Sequence, residues 1–554
     1  MKKCSLLSLL LALFALTAAA QSRRAPAAVW SPDLGNGQYK NPVLYADYSD
    51  PDVIRTGDDY WMTASSFNCV PGLPILHSTD LVNWEIVNYA LPRMYAGNDF
   101  DTPRHGDGVW APAIRFHDGW YYIYWGDPDR GIYMVQTQDP RGTWSEPHLV
   151  QAAEGIIDTC PLWDDDGRAY LVHGWAGSRA GLKSVLSVVE MSPDGRSTIG
   201  EEVLVIDGHA EHETIEGPKF YKRNGFYYIF APAGGVKPGW QVVMRSKSPW
   251  GPYECRTVLH QGNTDTPGPH QGGWVEDVAG DAWFLHFVDM YAYGRVVHLQ
   301  PMQWLADDWC TMGIDTNGDG IGEPVAQYRK PASAAPSAIR VPADSDEFFD
   351  RKLGLQWQWH ANPQTGWYFN NPTDGTIRLY CKAHGEAWKN LSDNGNLLLQ
   401  KVNAPDYTVT AAMQFHPSYE GDRAGLILMG HDYATIGLRY VDGKVILEQN
   451  YCPDAMKKGT AERQLATKEI ASTGDAVTVW LRCRIEKQAY ANGTPRMICR
   501  YAYSLDGKKF HDFGEACDGR EGHWIGAKAG FYTDATIRRN DGGWADFDWF
   551  RVSK

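Results

Sequence analysis

The chain has 554 residues, with 52 lysines and arginines against 67 aspartates and glutamates, so its formal net charge is −15. A chain of this length exceeds the size of a single hydrophobic core, and we expect two or more domains. The acidic balance argues against nucleic acid and anionic lipid as partners. The 23 tryptophans and 29 tyrosines favour β-sheet and also suit stacking on the apolar faces of sugar rings.

The N-terminus has the pattern of a secretory signal peptide over residues 1–20. Two lysines precede an apolar run at 5–16, and an alanine-rich segment that fits a cleavage site follows. The run is shorter than the ~20 residues that cross a bilayer, so we expect export to the periplasm or the extracellular space without a transmembrane anchor. Residues 21–38 are rich in small and polar residues and predict a flexible lead-in.

Residues 39–330 contain a hairpin pattern that recurs five times. Each copy is a short apolar run, a turn rich in Gly, Asp or Asn, and a second run led by an aromatic residue. The copies recur about 50–60 residues apart, which is typical of propeller blades. The sequence therefore predicts a five-bladed β-propeller whose aromatic anchors are Tyr60, Tyr121, Tyr170, Tyr227 and Trp283.

Three of the five copies carry an acid just before their first strand, namely Asp50, Asp158 and Glu216. Because the first strands surround the propeller axis, we expect these carboxyls to converge, together with Trp110 and His270 from the other two copies. Inverting cleavage of a glycosidic bond needs one carboxylic acid and one carboxylate about 6.5–9.5 Å apart. Asp50 and Glu216 suit that spacing, and the charge of Asp158 would raise the pKa of Glu216 and keep it protonated.

The C-terminal part is predicted to be a second β domain. Residues 331–345 are rich in Pro, Ala and Ser and predict a linker. Residues 346–554 alternate short apolar runs at roughly ten-residue spacing, which is typical of a β-sandwich. We therefore expect an all-β protein with a propeller followed by a sandwich.

The cysteines do not form a disulfide framework. Nine remain after removal of the signal peptide, and this odd number leaves at least one free thiol. Cys483 and Cys499 lie on two strands that are predicted to be adjacent, and the sequence leaves a bridge between them open.

Several of these segments resemble glycoside hydrolase family 43. The segments that carry the resemblance are NPVLYADYSDPDV (41–53), IIDTCPLWDDDGRAYLV (156–172) and TIEGPKFYKRNGFYYIF (214–230). The resemblance extends over residues 41–325 and more loosely over a concanavalin-like C-terminal sandwich, which opens with FFDRKLGLQWQWHANP (348–363).

The resemblance implies a role for each of the three acids. Asp50 matches the general base of the family and Glu216 matches its general acid. Asp158 matches the aspartate that tunes the pKa of the acid and orients the sugar.

The resemblance also implies secondary site residues. Arg295 is similar to an arginine that hydrogen-bonds the terminal sugar. His270 is similar to an axial histidine that faces a metal ion or a water cluster. Trp110 and Phe67 are expected to form apolar walls for the sugar.

The expected chemistry requires no cofactor, and a structural calcium ion stays open in the sandwich but not at the last blade. DTNGDGIGE (315–323) resembles a calcium loop, yet the position that needs a bidentate glutamate is Ala326. Asp546 and Asp548 could join Glu347 in a calcium site of the sandwich.

The resemblance implies an inverting exo-glycosidase that removes terminal L-arabinofuranosyl or D-xylosyl residues from plant hemicellulose or its oligosaccharides. We expect an α-L-arabinofuranosidase first and a β-xylosidase second, because a secreted multidomain form suits the removal of side chains. Two further classes stay open: a non-catalytic glycan-binding propeller, and a five-bladed fructan hydrolase or transferase that retains the anomeric configuration.

Overall fold

The computed structural model describes residues 29–95, 99–456, 460–538 and 540–554. The predicted signal peptide, 1–20, lies outside these ranges. Within them the chain forms a five-bladed β-propeller followed by a β-sandwich, which confirms the predicted all-β fold. No helix in the described ranges is long and apolar enough to cross a membrane.

The first strand is β1 (Gln38–Lys40), and the blades follow as four-stranded antiparallel sheets in chain order. Blade I contains β2–β5 (Asp52–Thr56, Asp59–Thr63, Gly72–Ser78 and Glu85–Leu91). Blade II contains β6–β9 (Ala113–His117, Trp120–Asp127, Gly131–Thr137 and His148–Ala152). Blade III contains β10–β13 (Ile156–Trp163, Ala169–Trp175, Val185–Met191 and Val203–Asp207), with a helical turn, α1 (Gly177–Ala180), after its second strand.

The last two blades have the same plan. Blade IV contains β14–β17 (Lys219–Arg223, Phe226–Ala233, Trp240–Ser246 and Glu254–Leu259). Blade V contains β18–β21 (His270–Glu276, Ala282–Asp289, Arg295–Trp304 and Cys310–Met312), with a 3-10 turn at Tyr291–Tyr293. Strand β22 (Gln327–Arg329) pairs with β1.

The repeated aromatic residues anchor the second strand of every blade. All five predicted anchors lie on these strands and are buried. The turn that precedes each anchor contains a glycine with positive φ, since this tight turn needs a left-handed residue: Gly57, Gly119, Gly167, Gly225 and Gly280. Apolar side chains of neighbouring blades then pack together, as Ile75 of blade I and Ile123 of blade II do.

The chain closes the ring by pairing its N-terminal segment with the last blade. Leu44 and Val297 exchange backbone hydrogen bonds of 3.3 and 3.1 Å. The Asn41 side chain binds both backbone groups of Leu299 at 2.9 Å. This closure satisfies the free edge of β20 (Arg295–Trp304), so no unpaired strand is left there.

The lead-in and the linker both run along the propeller surface. In the described part of the predicted flexible lead-in, 29–38, residues 29–33 are packed and residues 34–38 are exposed. Trp30 lies 5.0 Å from Tyr45 between ring centres. The apolar side chains of this segment pack on an apolar surface of the protein. The free energy gained by burying them offsets the conformational entropy that the segment loses. In the linker, the backbone N–H of Ala332 donates to Asp277 (2.8 Å).

The sandwich consists of two seven-stranded sheets in the described residues. In spatial order, the first contains β23 (Gln358–Trp359), β26 (Leu398–Lys401), β35 (Lys528–Asp534), β28 (Arg423–Met429), β29 (Tyr433–Val441), β30 (Lys444–Cys452) and β31 (Arg463–Ala471). The second contains β24 (Tyr368–Asn371), β25 (Thr376–Tyr380), β36 (Trp544–Ser553), β27 (Tyr407–His416), β32 (Val477–Ala489), β33 (Pro495–Ser504) and β34 (His511–Gly519). A 3-10 turn at Leu391–Asp393 precedes β26.

The core of the sandwich continues into the propeller. Val288 and Tyr293 of blade V belong to the same apolar cluster as Phe531 of the sandwich. Val70 and Trp359 exchange backbone hydrogen bonds of 2.9 and 2.6 Å across the junction. These contacts fix the orientation of the two domains.

All nine cysteines of the described residues are free. Cys483 lies opposite Tyr501 in the strand register, and Cys499 lies opposite both Ile485 and Cys517. The bridge that the sequence left open between Cys483 and Cys499 is therefore absent here, because the register places these residues diagonally.

A buried polar chain around Arg115 links all five blades. Its Nη1 donates to the fully buried Asp52 of blade I (2.6 Å), and its Nη2 donates to Sγ of Cys160 of blade III (2.8 Å). The guanidinium carbon lies 5.0 Å from the ring centre of Tyr221 of blade IV. The hydroxyl of Tyr221 in turn accepts a hydrogen bond from the backbone of Trp274 of blade V (3.0 Å).

We predict that Arg115→Met lowers the free energy of unfolding by about 3–5 kcal/mol, because it leaves the carboxylate of Asp52 buried without its partner. Guanidinium-induced unfolding followed by tryptophan fluorescence measures the change. The control is Arg168→Met, whose ion pair with Asp166 has the same chemistry but is half exposed on both sides. It should cost less than about 1 kcal/mol. Equal effects in both variants would contradict the structural role of Arg115.

Candidate active site

Every blade has a residue with left-handed backbone geometry shortly before or within the start of its first strand. The five residues have φ between 31° and 60°: Asp50, Ala111, Asp158, Gly217 and Gln271. Four of them are not glycine, and such geometry is costly for other residues, so it marks a constrained position. Asp50 and Asp158 occupy this position themselves, whereas Trp110, Glu216 and His270 come one residue before it. The residues that the sequence placed around the axis thus lie at one turn of the repeated fold.

Asp50 has one carboxylate oxygen held by hydrogen bonds and the other facing a cation. Its Oδ2 accepts from the hydroxyls of Ser49 (2.8 Å) and Ser65 (2.5 Å). Its Oδ1 lies 3.8 Å from Nη1 of Arg295. Because the side chain is buried and oriented, Oδ1 is suited to position and deprotonate a water molecule.

Asp158 and Glu216 form a pair of interacting carboxyls. The backbone N–H of Gly217 donates to Oδ2 of the buried Asp158 (2.8 Å). Burial, followed by the charges of Glu216 and Asp50, raises the pKa of Asp158 to about 8. Burial also acts to raise the pKa of Glu216, but the imidazole of His270, whose Nε2 lies 3.1 Å from Oε1, lowers it below its ordinary value.

These directions differ from the prediction that Asp158 keeps Glu216 protonated. Asp158 is the more deeply buried of the two, whereas the Glu216 side chain is 35% exposed and faces His270. Burial and the neighbouring charges thus favour the neutral form of Asp158, and His270 favours the charged form of Glu216. Since neighbouring carboxyls titrate as a unit, the pair still carries one proton near neutral pH.

Arg295 connects Asp50 to the aromatic wall of the site. Its Nη1 donates to Oγ of Ser49 (2.8 Å), and its guanidinium carbon lies 5.6 Å from the ring centre of Phe67. Its Nε is buried and has no hydrogen-bond partner among the described residues. A buried donor of this kind is suited to a sugar hydroxyl.

His270 lies against the acid rather than within a set of metal ligands. It is buried, and its Nε2 faces Glu216. The described residues contain no group of three or more His, Cys, Asp or Glu side chains placed to hold a metal ion. The metal or water role implied for His270 stays a prediction, and its imidazole lies where it lowers the pKa of Glu216.

The predicted walls Phe67 and Trp110 meet a third aromatic residue, which comes from the sandwich. The ring centre of Trp524 lies 5.4 Å from that of Phe67 and 4.7 Å from that of Trp110. Trp524 belongs to the loop between β34 and β35 and is 40% exposed. Trp524 is not among the residues predicted from the sequence, where its signal is a large aromatic residue in a polar, glycine-rich stretch, GREGHWIG (519–526).

The loop that carries Trp524 is held by the propeller. Asn68 donates from Nδ2 to the carbonyl of His523 (2.7 Å) and accepts at Oδ1 from the backbone of Gly106 (2.6 Å). A Cβ atom on Gly106 would lie 2.6 Å from the ring of His523, so this approach requires glycine. The aromatic wall is therefore a rigid feature of the domain junction.

A cavity of about 350 Å³ opens beside Arg295 between the two domains. Propeller residues Lys237, Asp289 and Tyr291 line one side, and His431 and Glu521 of the sandwich line the other. A cavity of this size is suited to a small polar ligand such as one or two sugar units.

The predicted calcium site in the sandwich is not supported by the contacts of its residues. Asp546 binds the guanidinium of Arg378 through two hydrogen bonds (2.7 and 2.9 Å). Glu347 binds Arg551 in the same way (2.7 and 2.8 Å). Each carboxylate is neutralised by an arginine, so neither offers the free charge that calcium requires.

The chain matches two family models in the order of its domains. That of "Glycosyl hydrolases family 43" matches residues 39–310, and that of "Beta xylosidase C-terminal Concanavalin A-like domain" matches residues 345–553. The chain belongs to glycosyl hydrolase family 43. This confirms the family and the concanavalin-like sandwich predicted from the sequence.

Relatives extend the family 43 match over both domains. The chain is 36% identical over 505 residues to a putative beta-xylosidase of Xylanibacter ruminicola, with 90% of this chain and 87% of that protein covered. It is 28% identical over 472 residues to a non-reducing end alpha-L-arabinofuranosidase of Bacteroides ovatus, with 80% and 83% covered. A xylan beta-1,4-xylosidase from Bacillus halodurans has the same fold, with a TM-score of 0.80, 23% identity and coverage of 93% and 100%.

We predict that Asp158→Asn stabilises this family 43 enzyme at alkaline pH. The folded state keeps the Asp158 proton up to about pH 8, whereas the unfolded chain loses it near the ordinary pKa of 3.8. The free energy of unfolding of the parent protein therefore decreases as the pH rises from the lower to the higher of these values. The variant should not show this decrease. At pH 8 the variant should be about 1–3 kcal/mol more stable.

Urea-induced unfolding of both proteins at several pH values between 4 and 9 measures this difference. The control is Asp265→Asn, an exposed aspartate in a loop, which should leave the pH dependence unchanged. Identical pH profiles for parent and Asp158→Asn would contradict the raised pKa.

Proposed function

We propose that this family 43 enzyme is an exported, inverting, exo-acting β-xylosidase that releases terminal D-xylose from xylan-derived oligosaccharides. The observation that carries the proposal is the arrangement of Asp50 opposite the Asp158–Glu216 pair on the propeller axis. A non-catalytic glycan-binding protein has no need of an oriented carboxylate beside a carboxyl pair that holds one proton.

In the proposed reaction Asp50 is the general base. Its Oδ1 takes a proton from the attacking water while the two serine hydroxyls on Oδ2 keep the carboxylate oriented. Arg295 lies 3.8 Å from Oδ1 and is placed to donate to a sugar hydroxyl beside Asp50. The water attacks the anomeric carbon from the face opposite to the leaving oxygen, which inverts the configuration.

Glu216 is the proposed general acid, and Asp158 stores the proton that it delivers. A sugar that fills the pocket removes water from the exposed part of Glu216, and loss of water favours the neutral carboxyl. The proton then resides on Glu216, beside the leaving oxygen, and Asp158 carries the charge with the support of the Gly217 N–H. The raised pKa of Asp158 is thus consistent with its role as the modulating residue.

The wall that the sandwich adds to one side of the pocket supports exo action. Trp524 and its loop form a wall on one side of the axis, and the cavity beside Arg295 ends against sandwich residues. A pocket that is blocked on one side favours the end of a chain over its middle.

The choice between the two pentoses is supported by the relatives. The relative at 36% identity is named a β-xylosidase and the relative at 28% identity an α-L-arabinofuranosidase, which reverses the order expected from the sequence. Arabinofuranosidase activity remains the second candidate. Export is proposed from the signal-peptide pattern at 1–20.

Release of p-nitrophenol from aryl β-D-xylopyranoside and aryl α-L-arabinofuranoside tests the proposal. The xyloside should react faster, and no release from either would refute the glycosidase assignment. NMR of the first product formed from xylobiose should show α-D-xylose. β-D-xylose would indicate retention and the mechanism of the fructan-active class.

We predict that Asp50→Asn and Glu216→Gln each reduce kcat on xylobiose by at least about a thousandfold. The two variants should differ on the aryl xyloside, whose leaving group needs little protonation. Glu216→Gln should keep more activity there, whereas Asp50→Asn should lose both activities. The control Glu211→Gln alters an exposed carboxylate near Glu216 in sequence and should be fully active. Near-parental activity of either active-site variant would remove the role assigned to that residue.

We predict that Trp524→Ala reduces kcat/KM on both aryl pentosides by about tenfold, which corresponds to about 1.4 kcal/mol of lost contact. The far-UV circular dichroism spectrum should stay unchanged, since the side chain is partly exposed. Tyr490→Ala, an exposed aromatic residue elsewhere on the sandwich, is the matched control. Equal kinetics in both variants would show that the sandwich does not contribute to the pocket.

A further inference from the structure

Two adjoining cavities lie on the rim of the sandwich, outside the catalytic pocket. Their volumes are about 500 and 770 Å³, and both are lined by the segment 382–385. We refer to them together as the rim groove. We propose that the rim groove binds a neutral polysaccharide chain of the xylan type, a proposal that rests on the proposed function and adds a second binding site to it.

Aromatic side chains line the rim groove along its whole length. In the first cavity the rings of His384 and Trp388 are stacked, with centres 3.8 Å apart and planes at 6°. In the second cavity Tyr368, Phe369 and Tyr380 contribute, and Phe369 is 53% exposed. Exposed aromatic surface inside a polar groove is costly in water, and sugar rings cover such surface through their C–H faces.

The charged residues of the rim groove have both signs. Lys382 lines both cavities, Asp393 lines the first, and Arg538 and Asp541 line the second. A groove without a dominant sign of charge does not select an anion or a cation, and its many donors and acceptors fit a neutral ligand with many hydroxyls.

One polar atom of the rim groove lacks a partner. Nε2 of His384 is buried and makes no hydrogen bond within the described part of the chain. A sugar hydroxyl can act as donor or acceptor, so it can satisfy this nitrogen in either tautomer.

The rim groove and the catalytic pocket share one propeller loop. Pro103 lines the first cavity, and Trp110 forms a wall of the catalytic site. Six residues lie between them, so the two are at most about 25 Å apart. His105, between the two, is fixed on the sandwich because its Nε2 lies 3.1 Å from the carbonyl oxygen of Ser392. A polysaccharide in the rim groove is therefore held close to the site that cleaves chain ends.

Affinity electrophoresis in gels that contain soluble xylan tests the proposal. The full chain with Glu216→Gln is used so that the polysaccharide is not degraded. We expect xylan to retard this protein, and Phe369→Ala or Trp388→Ala to weaken the apparent binding constant at least threefold. The matched control is Phe116→Ala, a phenylalanine on blade II that is 46% exposed, and it should bind like the parent.

Two outcomes would overturn the proposal that the rim groove binds xylan. The first is that xylan does not retard the Glu216→Gln protein, and the second is that xylan retards Phe369→Ala and Phe116→Ala equally. Phe369 is exposed, so its variant remains informative if Trp388→Ala fails to fold. The aryl xyloside assay of the unmodified enzyme reports on the proposed function separately. If xylan retards the protein in a way that depends on Phe369 but the unmodified enzyme has no xylosidase activity, the proposed function is refuted. The proposal that the rim groove binds xylan would then still stand.

Discussion

The ion pair between Arg115 and Asp52 is the contact on which the arrangement of the propeller depends. Both groups are buried, and Oδ1 of Asp52 has no hydrogen-bond partner among the described residues, so the carboxylate depends on the contacts of its other oxygen. Here the backbone of Ile114 donates to Asp52 (2.8 Å), and the second guanidinium nitrogen reaches Cys160. Asp52 follows Asp50 by two residues, and Cys160 follows Asp158 by two. The polar chain that joins the blades therefore also sets the positions of the acids.

The site combines groups that destabilise one another. Three carboxyls point to one axis, and burial together with mutual repulsion raises the pKa of Asp158. Polar groups around the carboxyls offset only part of the unfavourable free energy of burying them together. These groups are the serine hydroxyls, the Gly217 N–H, Arg295 and His270. Such a trade between stability and activity is common where a protein must keep an acid protonated at neutral pH.

The fold and the three acids could be predicted from the sequence because both follow a repeat. The aromatic anchors mark equivalent positions in each blade. Asp50, Asp158 and Glu216 precede their anchors by nearly the same number of residues. The other features depend on contacts between distant segments. Burial raises the pKa of Asp158 and His270 lowers that of Glu216, and no pattern in the chain encodes this difference.

The same limit explains the remaining differences. The carboxylates of Asp546 and Glu347 resemble calcium ligands until their arginine partners, which come from other strands, are known. Trp524 lies outside the repeat altogether, in a loop of the other domain.

A pocket wall supplied by a separate domain has an evolutionary consequence. The loop around Trp524 can change its length or its aromatic residue without altering the backbone turns that hold the acids. Preference for one sugar over another can therefore drift through the accessory domain while the chemistry stays constant. Recombination of propellers with different sandwiches offers a natural route to new substrates.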